Sequence, residues 1–113
     1  MNEIKDFSKF SSSFQEKLAS IMYRERSFCD QISEVLDINY FESKHLQVFI
    51  KLMLDYKTKY STHPGKTIME NEVRDKISEE SEVTQNRIRN FFARILSEQK
   101  EDEDDYIKDE ALT

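Results

Sequence analysis

One glycine and one proline stand in a chain of 113 residues. Sheets joined by tight turns need residues that accept positive φ, and hairpin loops draw on glycine above all. With Gly65 and Pro64 as its only punctuation of this kind, the chain is expected to be helical. Charged residues reach 35% and hydrophobic ones only 37%, yet eight Phe and five Tyr supply large burial capacity per residue. The length suits one domain with one modest core. The expected fold is all-α, a compact bundle of about five to six helices around a long central helix.

Helix starts and apolar stripes place the elements. Ser13-Phe14-Gln15-Glu16 has the S-x-x-E spacing of a capping box, so the helical domain is expected over 13–113, with 1–12 as an N-terminal extension. Phe14, Leu18, Ile21 and Met22 follow at helical spacing, and a second short stripe, Phe28, Ile32, Val35 and Leu36, predicts a helix from Ser27 to Asp37. After Tyr40-Phe41, Ser43 can cap the clearest helix, Lys44 to Tyr60, with Leu46, Phe49, Ile50, Met53, Leu54 and Tyr60 on its buried stripe. At about 25 Å it is long enough to be the central element. A fifth helix carries Val83, Ile88, Phe91, Phe92, Ile95 and Leu96. The carboxylate-rich EQKEDEDDYIKDE, Glu98 to Glu110, ends in Ala111 and Leu112 and predicts a last acidic helix or the start of a linker, broken off in mid-element. Its Asp102 to Asp105 suit a helix N-terminus, where the macrodipole favours negative charge.

Gly65-Lys66-Thr67 has the ending of a phosphate-binding loop. G-x-x-x-x-G-K-[ST] needs a glycine five places earlier and a strand in front, so that backbone N–H groups converge on one phosphate. That position is Tyr60, and the preceding segment has helical period. The stretch reads instead as a loop, Ser61 to Lys66, in which Pro64 stops the long helix and Gly65 permits a sharp turn. Thr67-Ile68-Met69-Glu70 repeats the capping-box spacing, so Thr67 is expected to cap a fourth helix reaching about Ile77 through Val73.

Other chemistry is not announced. The acidic run around Asp104 lacks the glycine of a calcium loop and reads as a solvated acidic cap. His45 reads as a surface residue of the central helix and His63 as a loop residue, without a metal-ligand spacing. Cys29 is alone, which excludes an intrachain disulfide and a cysteine-built zinc site and leaves a small packing residue in a reducing compartment. No cofactor, metal or catalytic residue is assigned, and an enzyme is not expected. The formal net charge of −6 opposes phosphate backbones, so no direct DNA binding is expected. Nothing approaches the roughly 20 apolar residues of a membrane span, and the chain is expected to be soluble and cytoplasmic.

The one excess is aromatic. Phe91 and Phe92 are consecutive, so on a helix their side chains diverge by about 100°. Either one ring faces a partner, or a wide apolar face is sandwiched between two helices of the same chain. The first alternative makes Arg87, Phe91, Phe92 and Ile95 an interface, through which the chain would form a homodimer or higher homo-oligomer.

Together these residues resemble the N-terminal domain of DnaB-type replicative DNA helicases, especially those of T4-like bacteriophages. Phe14-Gln15-Glu16-Lys17-Leu18 is similar to that family's first-helix opening, and Phe28 falls at the phenylalanine after its short polar turn. Tyr40-Phe41-Glu42-Ser43 matches the "YFES" before its third helix, and Phe49-Ile50-Lys51 and Tyr56 to Tyr60 resemble its long helix ending in a "Y-x-x-x-P-[ST]" loop. Asp105-Tyr106-Ile107-Lys108-Asp109-Glu110 resembles the segment that opens the family domain's last helices. Gly65-Lys66, inserted between Pro64 and Thr67, departs from the pattern. The resemblance implies a helical collar domain without the ATPase motor, which pairs with copies of itself and docks primase and helicase loader proteins in a bacterial host cytoplasm. A free-standing phage regulator that binds and inhibits a helicase or primase fits the same composition.

Overall fold

In the computed structural model, which describes residues 6–113, it is Ser11 that opens the first helix, not Ser13. Its Oγ accepts the Phe14 N–H at 3.1 Å, and α1 runs Ser12–Arg24. Ser13 is already inside the first turn, and this register turns Gln15, Leu18, Ile21 and Met22 inward. Residues 1–5 of the expected extension lie outside the described residues.

Glu25, in extended conformation, separates α1 from α2, Arg26–Ile32. The expected helix to Asp37 stops short. The Ser33 hydroxyl donates back to the Asp30 carbonyl at 3.1 Å and the Val35 N–H to that of Ile32 at 3.0 Å, a tightened last turn that leaves Val35 54% exposed. A 3-10 turn, Ile38–Tyr40, leads to α3, Lys44–Tyr60, with the predicted bounds. Then come α4, Lys66–Asp75, α5, Glu82–Ile95, and α6, Asp104–Leu112. With six α-helices and no strand among the described residues, the chain is all-α. It divides into two units, one formed by Met1–Ser43 and Lys100–Thr113, the other by Lys44–Gln99.

The first unit is organised by a buried amide. Gln15 is 1% exposed. Its Nε2 lies 2.8 Å from Glu42 Oε1, 3.0 Å from the Phe7 carbonyl and 3.2 Å from that of Phe10, while its Oε1 accepts the Glu42 N–H at 3.0 Å. One side chain on α1 thus ties down two irregular segments whose backbone groups have no ladder to join. Phe7 packs between them, edge-on to Phe41 at 5.1 Å and to Tyr40 at 5.6 Å. Within the expected extension 1–12, Phe7 is therefore a core residue, 2% exposed.

The acidic run is more than the solvated cap expected of it. Asp104 is 2% exposed; its Oδ2 accepts the Glu101 N–H at 3.1 Å and lies 3.6 Å from Arg24 Nη2. Lys17 reaches Glu103 at 2.7 Å and Glu101 at 3.1 Å, and Lys108 reaches Glu25 at 2.9 Å. The hydrogen bonds it donates to the Glu103 and Glu101 carboxylates hold the Lys17 ammonium well above the usual lysine pKa. These pairs, with Ile107 and Ala111 buried beneath them, hold α6 on α1. Asp104 and Asp105 sit in the first turn of α6, as the macrodipole favours.

In the second unit α3 carries the load of packing, against α5 first and α4 next. Leu46, Phe49, Ile50 and Met53 are fully buried, as the stripe predicts, but Tyr60 is 54% exposed. His45 is not a surface residue: it is buried, one turn before Phe49 on the same face, edge-on to Phe91 at 6.1 Å. The helix ends at Ser61, which takes the left-handed conformation, φ 58°, with its N–H on the Lys57 carbonyl. Gly65 is extended, at φ −81° and ψ −175°, and provides no left-handed turn. It is the N-cap of α4, so Thr67 lies inside the first turn and does not cap it.

Two consequences are measurable by urea unfolding followed by circular dichroism. Gln15→Leu keeps the volume but orphans the Glu42 N–H and two carbonyls, and is expected to cost about 2–3 kcal/mol; a loss below about 0.5 kcal/mol would show the network to be dispensable. Ser61→Gly relieves the left-handed strain, and Gly65→Asp adds a capping carboxylate where a Cβ meets nothing within 4 Å. Each is expected to stabilise by about 0.5–1 kcal/mol. Destabilisation by either would contradict the two loop conformations.

Candidate docking groove between α4 and α5

Phe91 and Phe92 both point into their own chain. Phe91 is 1% and Phe92 5% exposed, and the two rings straddle Phe49 of α3, at 5.1 Å edge-on and 5.9 Å tilted. A divergence of about 100° is what a helix needs to embrace one aromatic from two sides. Ile95, 1% exposed, completes the same buried face, while Arg87 points to solvent. Of the two alternatives the sequence leaves open, the intramolecular sandwich is the one adopted. Of the expected interface of Arg87, Phe91, Phe92 and Ile95, three members are therefore buried within this chain, and Arg87, one turn before Phe91, is exposed at the edge of their face.

What α5 does offer outward lies beside that face. α4 and α5 both pack on α3, and between them runs an open apolar groove of about 300 Å³. Val73 of α4 and Phe92 of α5 form its floor, and Ala93 and Leu96 its α5 wall. The methyl of Ala93 is too small to close the space, and Leu96 remains 39% exposed. Burying such surface is favourable by about 25 cal/mol per Å².

The rim is charged. Arg89 on α5 hydrogen-bonds the amide oxygens of Gln85 at 3.2 Å and Asn86 at 3.4 Å, both neutral, so these contacts leave its charge undiminished. Across the groove Arg74 bonds Asn71 and Asp75. Glu70, also on the rim, lies 3.8 Å from Lys66. An apolar floor with guanidinium groups on its rim is a lining of the kind also met at protein interfaces.

Elsewhere, a smaller hollow of about 280 Å³ opens between Tyr56, Tyr60, Ile68 and Lys76, and a polar one of about 500 Å³ between Phe28, Gln31 and Lys108 in the first unit. Gly65-Lys66-Thr67 follows α3 and a loop, and the Lys66 ammonium lies beside Glu70. Among the described residues no three His, Cys, Asp or Glu side chains are grouped to hold a metal ion, and Cys29 is buried. No helix of the described residues is long and apolar enough to cross a membrane.

Periodicity found the α5 face but not the groove beside it. Leu96 reads as part of the buried stripe, and nothing in the sequence pairs it with Val73, twenty-odd positions away on another helix. The only local signal is Ala93, a small residue on an otherwise long-chained surface. The chain matches no protein-family model, no curated protein and no solved structure.

If the two rings are core, Phe91→Ala and Phe92→Ala should each cost about 3–5 kcal/mol in urea unfolding, whereas Arg87→Ala should stay within about 0.5 kcal/mol of the parent. A Phe92→Ala variant of parental stability would refute the sandwich.

Proposed function

We propose that this chain is a non-catalytic assembly and docking domain of the kind that forms the collar of DnaB-type replicative helicases. The observation that carries the reading is the open apolar groove between α4 and α5, flanked by Arg74 and Arg89 on a fold made of helices alone. The aromatic punctuation supports it. Tyr40-Phe41-Glu42, the part of the resemblance with the most distinctive wording, supplies the partners of Phe7 and of the Gln15 amide. These residues serve the packing of the first unit.

In this reading the partners are primase and helicase loader proteins in a bacterial host cytoplasm, and the chain assembles with copies of itself. Self-association then uses surface other than the Phe91-Phe92 face. The chain brings no cofactor, and nucleotide chemistry belongs to a RecA-like motor domain outside it.

Calorimetric titration of the chain with purified primase and with purified loader of a T4-like phage tests the proposal. Saturable binding of at least one, with a dissociation constant of about 1–10 μM as suits a transient interface, and no heat from ATP are the expected results. ATP binding that is lost in Lys66→Ala would overturn it. If neither protein binds and the chain instead inhibits unwinding by the intact helicase, the domain is a free-standing regulator.

A further inference from the structure

The chemistry of the groove constrains what it takes. We propose that the α4/α5 groove binds one face of a short amphipathic helix of a partner protein, with apolar anchors one turn apart and acidic residues on its flanks. This rests on the reading of the chain as a docking domain and names the class of ligand.

Size points to a helix face. The stretch of α5 that lines the groove, Arg89 to Leu96, spans about 10 Å, roughly two helical turns. Two side chains at i and i+4 project from a helix one turn apart on one side, and fit such a trough. A second copy of the chain is a poorer occupant, because a stable dimer buries about 1,200–2,000 Å² and this groove offers only a small apolar floor. An extended peptide has no strand edge to join among the described residues.

Charge points to acidic flanks. The chain carries a formal net charge of −6, yet arginine stands on both walls here, Arg74 on α4 and Arg89 on α5. Arg74 is ion-paired with Asp75 at 3.0 Å, so it is Arg89 whose positive charge an occupant meets uncompensated, well inside a Debye length of about 8 Å at physiological salt. The Arg89 guanidinium is held by the neutral amides of Gln85 and Asn86, which orient it without cancelling it. A guanidinium so placed offers the planar fork that a carboxylate accepts at two points. Glu70, leaning to Lys66, adds a negative charge at one position and disfavours an acidic residue there, which gives the occupant a direction.

The test uses the full chain and two fluorescein-labelled synthetic helical peptides. Both carry leucines at i and i+4; one has glutamates beside them and the other lysines at the same positions. Fluorescence anisotropy is expected to show the glutamate peptide binding about tenfold more tightly than the lysine peptide. Arg89→Glu should reduce or reverse that preference. Ala93→Leu, an exposed helical position that accepts leucine at little cost, fills the groove and should abolish binding of both peptides while the helical circular dichroism signal stays parental. Equal binding of the two peptides, or binding that survives Ala93→Leu in the folded protein, would overturn the proposal. So would self-association of the chain that Ala93→Leu abolishes, since the groove would then belong to a second copy. The two readings fail separately. If primase or loader binds equally to the parent and to Ala93→Leu, the docking function stands and the groove is not its site; if the glutamate peptide binds through the groove and neither protein binds at all, the groove chemistry stands and the helicase assignment falls.

Discussion

Phe49 sits between Phe91 and Phe92, and the second unit is arranged around that contact. Two consecutive large rings on one helix cannot share a narrow seam, so α5 must lay a broad face on its neighbour, and α3 supplies a ring for both to enclose. His45, one turn earlier on α3, closes the same cluster edge-on to Phe91. With α5 committed to α3 in this way and α4 packed on α3 as well, α4 and α5 meet each other only sparsely. The groove is the space that remains, and Ala93 keeps it open.

The first unit solves a different problem. Its irregular segments, around Phe7 to Phe10 and Phe41-Glu42, have backbone groups that neither helix nor sheet satisfies. Gln15 satisfies several of them at once from a helical position, with the rings of Phe7, Tyr40 and Phe41 packed beside its buried end and Glu42 exposed at the other. The acidic terminal helix is held on α1 by a mixture of exposed and buried ion pairs. Among these the Arg24–Asp104 contact matters most for order, because an unpartnered buried Asp104 would be costly, whereas the exposed Lys17 pairs contribute little each. A carboxylate-rich segment can thus be structural where cations on a neighbouring helix face it.

Taken with the fold, the groove gives the docking proposal a location. Under that proposal, a chain whose phenylalanines are largely used in its own cores would recognise partners with smaller apolar surface and with charge. Val73, Ala93 and Leu96 provide the first, Arg74 and Arg89 the second. In that proposal the Arg89 guanidinium on the groove's rim favours selection by electrostatic complementarity, which acts on specificity and association rate more than on bulk affinity.

The sequence by itself determined the helical class, because a single glycine and proline leave sheets without turns, and it determined the central helix, because the 3.6-residue period of its stripe is local information. Helix starts were legible only to within a choice: Ser11 and Ser13 are both serines before the same apolar stripe, and Gly65 and Thr67 both precede α4, so burial of the rest of the helix selected between them. Only the tertiary structure decided that His45 is buried, that both Phe91 and Phe92 turn inward, and that Asp104 is paired, since each depends on what a distant element brings opposite. The groove belongs wholly to this second kind. Its floor and walls come from two helices that meet α3 independently, and a concavity between elements has no period along the chain.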